Sequence, residues 1–194
     1  MKKSGAILLI AGSAVIMFVI IFIGIGNSLV TSAENVRLRK GNIETALQQR
    51  ADLIPNLVST VKGYAQHEEA VFTAVSDARA AIAGAIRSGE VSEMSAASDQ
   101  LDSALSRLLV VVEAYPQLQS SENFIGLQDE LAGMENRLRV AREYYNEAVR
   151  EYNRKVQVFP SSLVASMRGF TVQPYFEATE SSRNAPVINF SYRE

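Results

Sequence analysis

Polar side chains beside the apolar stripes of the predicted helices are the residues of this chain that could carry chemistry. Asn146 and Asn153 are seven residues apart, hence on one helical face, and each follows a tyrosine. Carboxylates that point into a helical bundle can build a metal site, and carboxylates, amides and guanidinium groups together can build a hydrogen-bonded network that fixes helix register. The full set is Arg50, Asp52, Asn56, Arg79, Arg107, Glu113, Glu135, Asn136, Arg142, Asn146 and Asn153.

The residue types favour the structural network over a metal site. A carboxylate-bridged metal site in a bundle uses Glu-x-x-His pairs, and His67 is the single histidine of the chain. His67 stands beside Glu68 and Glu69 but has no second histidine one helical turn away, so we interpret it as a surface residue at a helix junction. We therefore predict no metal and no cofactor.

Other motifs also argue against an enzyme. The sequence has no glycine-rich phosphate loop with its lysine, no nucleophile-elbow serine and no second histidine for a triad. It has no cysteine, which excludes disulfides, zinc–thiolate sites and a cysteine nucleophile. Of 19 basic residues, Lys2 and Lys3 precede the apolar segment, which leaves 17 against 21 acidic residues. Nucleic acid is not an expected partner, because phosphate binding requires a basic surface.

We expect ten residues to form an internal framework, each a polar residue or a proline within the helical pattern. They are Arg50, Asp52, Pro55, Asn56, Glu113, Pro116, Asn136, Arg142, Asn146 and Asn153. No catalytic residue is predicted among them. A buried polar group without a partner costs about 1 to 3 kcal/mol, so truncating Arg142 should destabilise the fold by that order if its side chain is buried.

The element that must position these groups is a long amphipathic helix over residues 124–159. Its apolar residues recur at steps of mostly three and four, and Pro160 ends the pattern. One such helix cannot bury its stripe alone, so the remaining helices must cover it. These are predicted over residues 29–66, 68–87, 93–115 and 161–168.

Two prolines set limits on these helices. The apolar phase of the first helix continues through Pro55, which predicts one helix kinked near Ala51 and not two separate helices. Pro116 ends the third helix, because the residue before a proline avoids the helical region.

An uncharged segment of 21 residues, Ala6 to Gly26, lies near the amino terminus. That length suits a helix across the hydrocarbon core, whereas the apolar core of a cleaved signal peptide is about 7 to 15 residues long. We therefore predict an uncleaved transmembrane anchor. Lys2 and Lys3 directly adjoin it and favour a cytoplasmic amino terminus with the soluble part outside, although Arg37, Arg39 and Lys40 nearly balance them.

The predicted fold is all-α, with an N-terminal transmembrane helix followed by an elongated antiparallel four-helix bundle and an irregular C-terminal tail packed on it. We expect an N-terminal segment over residues 1–26 that contains the transmembrane helix at 6–26. The bundle follows over residues 27–160 and the tail over 161–194.

Five stretches of the chain carry a family resemblance. They are RADLIPNLVSTVKGYAQHE (50–68), VVVEAYPQLQSSENFIGLQDEL (110–131), ENRLRVAREYYNEAVREYN (135–153), FPSSLVASMRGF (159–170) and PYFE (174–177). They resemble the LemA family of bacterial and archaeal membrane proteins. The resemblance implies a membrane-anchored, largely helical protein with no established enzyme activity. Some members are tied to the formation of magnetosome membranes, and others are encoded beside membrane metallopeptidases or TPM-domain proteins.

Three functions follow as hypotheses. The first is a non-enzymatic scaffold or membrane-organising module in the bacterial cytoplasmic membrane, anchored to the bilayer through residues 6–26 and associating with further copies of itself. The second is an accessory subunit of a membrane protease or transporter, which requires an exposed apolar patch on the tail or the second helix. The third is an unrecognised enzyme, which requires Glu113, Glu135 and His67 in one pocket with a bound metal.

Overall fold

The computed structural model describes residues 2–65 and 67–177, with side chains described from residue 10 onward. Over these residues the protein is all-α, as predicted, and contains six helices and no strand. The helices are α1 (Lys2–Lys62), α2 (Glu69–Ser88), α3 (Val91–Glu113), α4 (Pro116–Gln119), α5 (Glu122–Gln157) and α6 (Ser161–Arg168). The predicted tail reaches residue 194, and its part from 178 onward lies outside the described residues.

Helix α1 is uninterrupted over 61 residues and joins the apolar segment to the first amphipathic stretch. Pro55 lies inside it, which confirms the prediction of one helix. Among the described residues, α1 is the one helix long and apolar enough to cross a membrane. Its large apolar side chains from Ile10 to Ile23 are mostly exposed, for example Phe18 at 67%. A core helix of a soluble protein would bury such side chains, so this exposure favours a lipid-facing segment.

Glycine and proline set the ends of the shorter helices. Gly89 and Gly169 adopt φ values of 74° and 75° at the ends of α2 and α6, in the left-handed region that suits glycine. The Phe170 amide donates to the Ala165 carbonyl at 2.9 Å, and this bond closes a Schellman motif. Pro116 follows the end of α3, as predicted, and occupies the first position of α4.

The chain forms two compact units. Among the described residues, unit 1 comprises 2–41 and 143–174, and unit 2 comprises 42–65, 67–142 and 175–177. In unit 1, Leu29 packs with Val164 and Ala165 of α6. In unit 2, α2 and α3 pack against each other across a two-residue link. The antiparallel four-helix arrangement and the three predicted segments stay predictions.

Candidate functional site

Arg50 is the centre of a charged cluster inside unit 2. It lies between Leu47 and Ile54 on the apolar stripe of α1, at helical steps of three and four, so its helix carries it into the core. The residue is 5% exposed. Its Nη2 atom lies 2.5 Å from Oδ1 of Asp102 on α3 and 2.9 Å from Oε2 of Glu135 on α5. One guanidinium therefore cross-links three helices.

A groove of about 350 Å³ opens beside this cluster. Its polar lining includes Arg50, Asp102 and Glu135, and its apolar wall includes Leu105 and Leu131. The two carboxylates stay partly in water, with side chains 40% and 45% exposed. They more than neutralise the arginine, so the groove has no excess positive charge to attract an anion. The described residues contain no group of three or more His, Asp or Glu residues placed to share a metal ion.

The backbone gap at Pro55 has a side-chain partner. Proline lacks an N–H, so the Ala51 carbonyl one turn earlier loses its helical donor. The Arg79 Nε–H on α2 donates to that carbonyl at 3.1 Å. Ala51 is buried, and without Arg79 its carbonyl oxygen would lose this donor. This contact supplies a donor for the carbonyl that the proline leaves unpaired, and it ties α2 to α1.

Arg142 on α5 makes a second polar contact across unit 2. Its Nη2 atom donates to Ser98 Oγ on α3 at 2.6 Å, and Ser98 is fully buried. The guanidinium also lies over the ring of Phe176, 4.7 Å from its centroid, a cation–π distance. Burial lowers the pKa of Arg142, while the charges of Glu135 and Asp102 act in the opposite direction. The guanidinium remains charged at neutral pH, because the ordinary pKa of arginine is so high.

We expect Arg142→Ala to lower the free energy of unfolding by about 1 to 2 kcal/mol, because it leaves the buried Ser98 hydroxyl without its partner. Arg139→Ala on the same helix is the matched control. Arg139 is exposed and bonds Asn136 within its own turn, so its loss should have a much smaller effect. Urea titration of the full chain in detergent measures both. Equal midpoints for the two variants would contradict a framework role for Arg142.

Asn153 on α5 binds the backbone of the tail through both ends of its amide. Its Oδ1 atom accepts from the Gln173 N–H at 2.8 Å, and its Nδ2 donates to the Gln173 carbonyl at 2.9 Å. The side chain is buried, at 8% exposed. These two hydrogen bonds satisfy both the backbone N–H and the backbone carbonyl of Gln173, as pairing with a neighbouring β-strand would. Asn153 therefore holds the tail in one register on unit 1.

Two tyrosines of the apolar stripe extend this contact. Tyr145 Oη donates to the Pro174 carbonyl at 2.9 Å, and Tyr152 Oη donates to the Thr171 carbonyl at 2.8 Å. Both rings are buried. Burial raises the pKa of Tyr145 to about 12 and also raises that of Tyr152. The neutral phenol is the form that can donate, so burial and hydrogen bonding favour the same state.

Alkaline titration tests this arrangement. The pKa of Tyr145 is raised in the fold, so its contribution to stability should be complete below about pH 10, the pKa of a free tyrosine, and should be lost as the pH rises towards about 12. Tyr145→Phe should cost about 1 kcal/mol at neutral pH and remove this part of the alkaline dependence. Tyr144→Phe, at an exposed neighbour, should retain it. If both variants lose stability in parallel with the parent above pH 10, the assignment is wrong.

Other predicted framework residues lie elsewhere. Six are exposed and not internal, because the helical period turns them away from the core, namely Asp52, Pro55, Asn56, Glu113, Pro116 and Asn136. Asp52 accepts a hydrogen bond from Gln48 one turn earlier. Asn146 is half-buried and has interactions of its own. The structure thus places Arg50 in the charged cluster with Asp102 and Glu135. Arg142 and Asn153 each make a separate contact elsewhere.

Sequence reasoning missed Asp102 and Ser98, which are the partners of Arg50 and Arg142. Asp102 directly follows the core residue Leu101, and Ser98 stands three positions before Leu101. That position beside an apolar stripe was the available signal. Glu135 is in the set of candidate polar residues but is not among the ten predicted framework residues. Its carboxylate is half-exposed and pairs with Arg50, so one side meets water and the other the core.

Comparison with known proteins gives a family and three named relatives. The model of the LemA family matches residues 39–190. The magnetosome proteins MamQ 1 and MamQ 2 of Paramagnetospirillum magneticum are each 27% identical to the chain, over 94% of it and 75% of their own length. Magnetosome protein MamQ of Magnetospirillum gryphiswaldense is 26% identical over 84% of the chain and 68% of its own length. Together with the apolar part of α1, these matches support a membrane-associated protein.

Proposed function

Because the chain belongs to the LemA family, we propose that it is a non-enzymatic scaffold that is anchored in a bacterial membrane and organises interactions there. One observation carries this proposal. Helix α1 is continuous from the exposed apolar segment into a stretch whose apolar stripe is buried, and this continuity supports a retained anchor over a separate leader. The similarity to magnetosome proteins supports a role in membrane organisation.

The placement of the polar residues supports the same proposal. The buried arginine bridges carboxylates on two other helices, and the buried asparagine binds tail backbone. Residues in such contacts hold elements in register and are not free to act on a substrate. The enzyme hypothesis requires Glu113, Glu135 and His67 in one pocket. It is weakened because His67 and Glu113 are exposed and Glu135 is paired with Arg50.

We propose that the protein spans the cytoplasmic membrane once, with the residues that follow the anchor on the extracytoplasmic side. The two lysines that adjoin the anchor at the amino terminus support this orientation. The packing of α6 on the anchor supports its retention, since cleavage before Leu29 would remove Phe22 and Ile25 from the unit 1 core.

Cross-linking in intact membranes, followed by pull-down and mass spectrometry, tests the proposal. A scaffold of identical copies gives a ladder of multiples of the chain. The chain has no cysteine, so single introduced cysteines can map the contact without background. Monomers alone, at every cross-linker concentration, would overturn self-association.

The alternative is an accessory subunit of a membrane protease or transporter. It is favoured by Val110 and Leu109 on α3, which are 66% and 38% exposed in unit 2. On α2 the expected patch is not found, since Phe72, Val75 and Ile82 are buried and Val71 and Ile86 are partly buried. The predicted tail does carry exposed apolar residues, Leu163 and Met167. Recovery of one foreign membrane protein at a fixed ratio, lost in Val110→Glu and retained in Ser103→Glu at another exposed position of α3, would favour this function over the first.

A further inference from the structure

Helix α6 presents apolar residues on two sides. One side is buried, with Val164 and Ala165 packed in the unit 1 core. The other side is open, with Phe159, Leu163 and Met167 exposed by 74%, 59% and 75%. Leu163 and Met167 are four residues apart on α6 and so share one face, and Phe159 lies in the turn that precedes the helix; these three residues are the open stripe. A stripe of large apolar side chains in water is costly, and contiguous patches of this kind mark interaction surfaces.

The neighbours of α6 fix its level along the anchor. Its core side packs on Leu29 with Phe22 and Ile25 beside it. Arg168 at its end lies on α1 so closely that a β-carbon at Gly26 would collide with the guanidinium. The predicted span ends at Gly26, so at 1.5 Å per residue these contacts extend from about 6 Å inside that end to about 5 Å beyond it. This is the depth at which interfacial helices lie, with the apolar face about 5 to 10 Å into the headgroup–acyl boundary.

Basic groups occupy the same level. Lys155 Nζ donates to Ser32 Oγ at 2.6 Å and to Ser28 Oγ at 3.1 Å, just beyond the span. The Arg168 guanidinium lies 5.8 Å from the ring centroid of Phe170. Cations at this height meet lipid phosphates, and an aromatic ring beside them suits the interfacial zone. Charge and apolar surface thus match one partner, the bilayer itself.

We propose that α6 and the turn before it form a second membrane contact, in which Phe159, Leu163 and Met167 insert into the lipid boundary while Lys155 and Arg168 face the phosphates. The inference rests on the proposed anchoring of α1. This second contact fixes the depth of α1 in the bilayer and its rotation about its own axis. Because α6 touches the membrane beside α1, the anchor cannot turn freely. The occupant of the open stripe is lipid, and not a second copy or another protein.

Depth-dependent quenching of a fluorophore tests this contact in the full chain. Leu163→Cys and Met167→Cys, each labelled with the dye NBD, report on the open stripe without disturbing buried packing. Ile16→Cys marks the middle of the anchor. Leu38→Cys is the matched control, an exposed leucine of the same unit about 18 Å past the end of the span. The proteins are reconstituted in phosphatidylcholine vesicles with one quarter phosphatidylglycerol, which carry nitroxide lipids labelled near either end of the acyl chain.

The expected result is a loss of emission at positions 163 and 167 that is greater with the shallow nitroxide than with the deep one. Position 16 should respond most to the deep nitroxide, and position 38 to neither. Emission at 163 and 167 that matches position 38 overturns the inference. A blue shift there without quenching also overturns it, and identifies a second copy as the occupant. Loss of quenching at position 16 would instead defeat the anchoring on which both proposals rest.

Discussion

Arg50→Ala should lower the free energy of unfolding by about 3 kcal/mol, the largest effect that we expect of a single substitution in the described chain. The arginine is 5% exposed and faces Asp102 and Glu135 from a third helix. Its removal leaves two carboxylates close together with no cation between them, and also leaves a cavity. We place the loss at the lower end of the range for buried pairs, because both carboxylates remain partly exposed to water.

Arg37→Ala is the control, because it removes an exposed arginine and so measures the effect of losing an arginine outside the cluster. Arg37 pairs with Glu34 at 3.2 Å within one helical turn, and its side chain is 80% exposed. Arg37→Ala should therefore cost only about 0 to 0.5 kcal/mol. Urea titration in detergent compares the two variants. Similar losses would show that Arg50 does not hold the three helices together.

A second comparison separates charge from packing. Arg50→Met fills much of the volume but removes the cation that contacts both carboxylates. Adding Asp102→Asn and Glu135→Gln to Arg50→Met removes the repulsion between the two carboxylates, so the triple variant should be more stable than the single one. A triple variant that is no more stable than Arg50→Met would assign the loss to packing.

The sequence predicted the elements well where a periodic pattern or a proline defined them. The apolar stripe of residues 124–159 became α5 within two residues at each end, and the short helix predicted over 161–168 matches α6. The helix that contains Pro55 is continuous because its apolar phase never breaks. These helices depend on local sequence patterns, so their positions can be predicted from a single sequence.

The site was less predictable because its contacts join residues distant in sequence. Arg50 meets Asp102 and Glu135, and no periodicity specifies which polar residues of three helices will face one another. Exposure also depends on a rotation of a few tens of degrees about the helix axis. Asn136 stands beside Glu135, yet it is exposed and bonds Arg139 of its own helix. The phenol contacts of Tyr145 and Tyr152 depend on where an irregular tail settles, which no pattern encodes.

Asn153→Ala should release the tail from unit 1, with local opening easier by about 2 kcal/mol, since two hydrogen bonds of about 1 kcal/mol each are lost. Opening of that size corresponds to hydrogen exchange about 30-fold faster at the Gln173 amide. Exchange in peptides that cover residues 171–174 measures the effect on the full chain. Asn136→Ala, an exposed asparagine of the same helix, should leave exchange in the tail unchanged.

Asn153→Asp makes the same contact dependent on pH. One carboxyl oxygen can still accept from the Gln173 N–H, but the other faces the Gln173 carbonyl and must carry a proton to bond it. The docked tail therefore favours the protonated acid, and the pKa of Asp at this position should be raised in the folded state. The docking should be strongest below the ordinary pKa of an aspartate and be lost as the pH rises through the raised folded-state value. At neutral pH the variant should exchange at least as fast as Asn153→Ala, while at low pH, after correction for intrinsic rates, it should approach the parent. A protection factor in the tail that does not change with pH would mean that Asn153 does not donate to the Gln173 carbonyl.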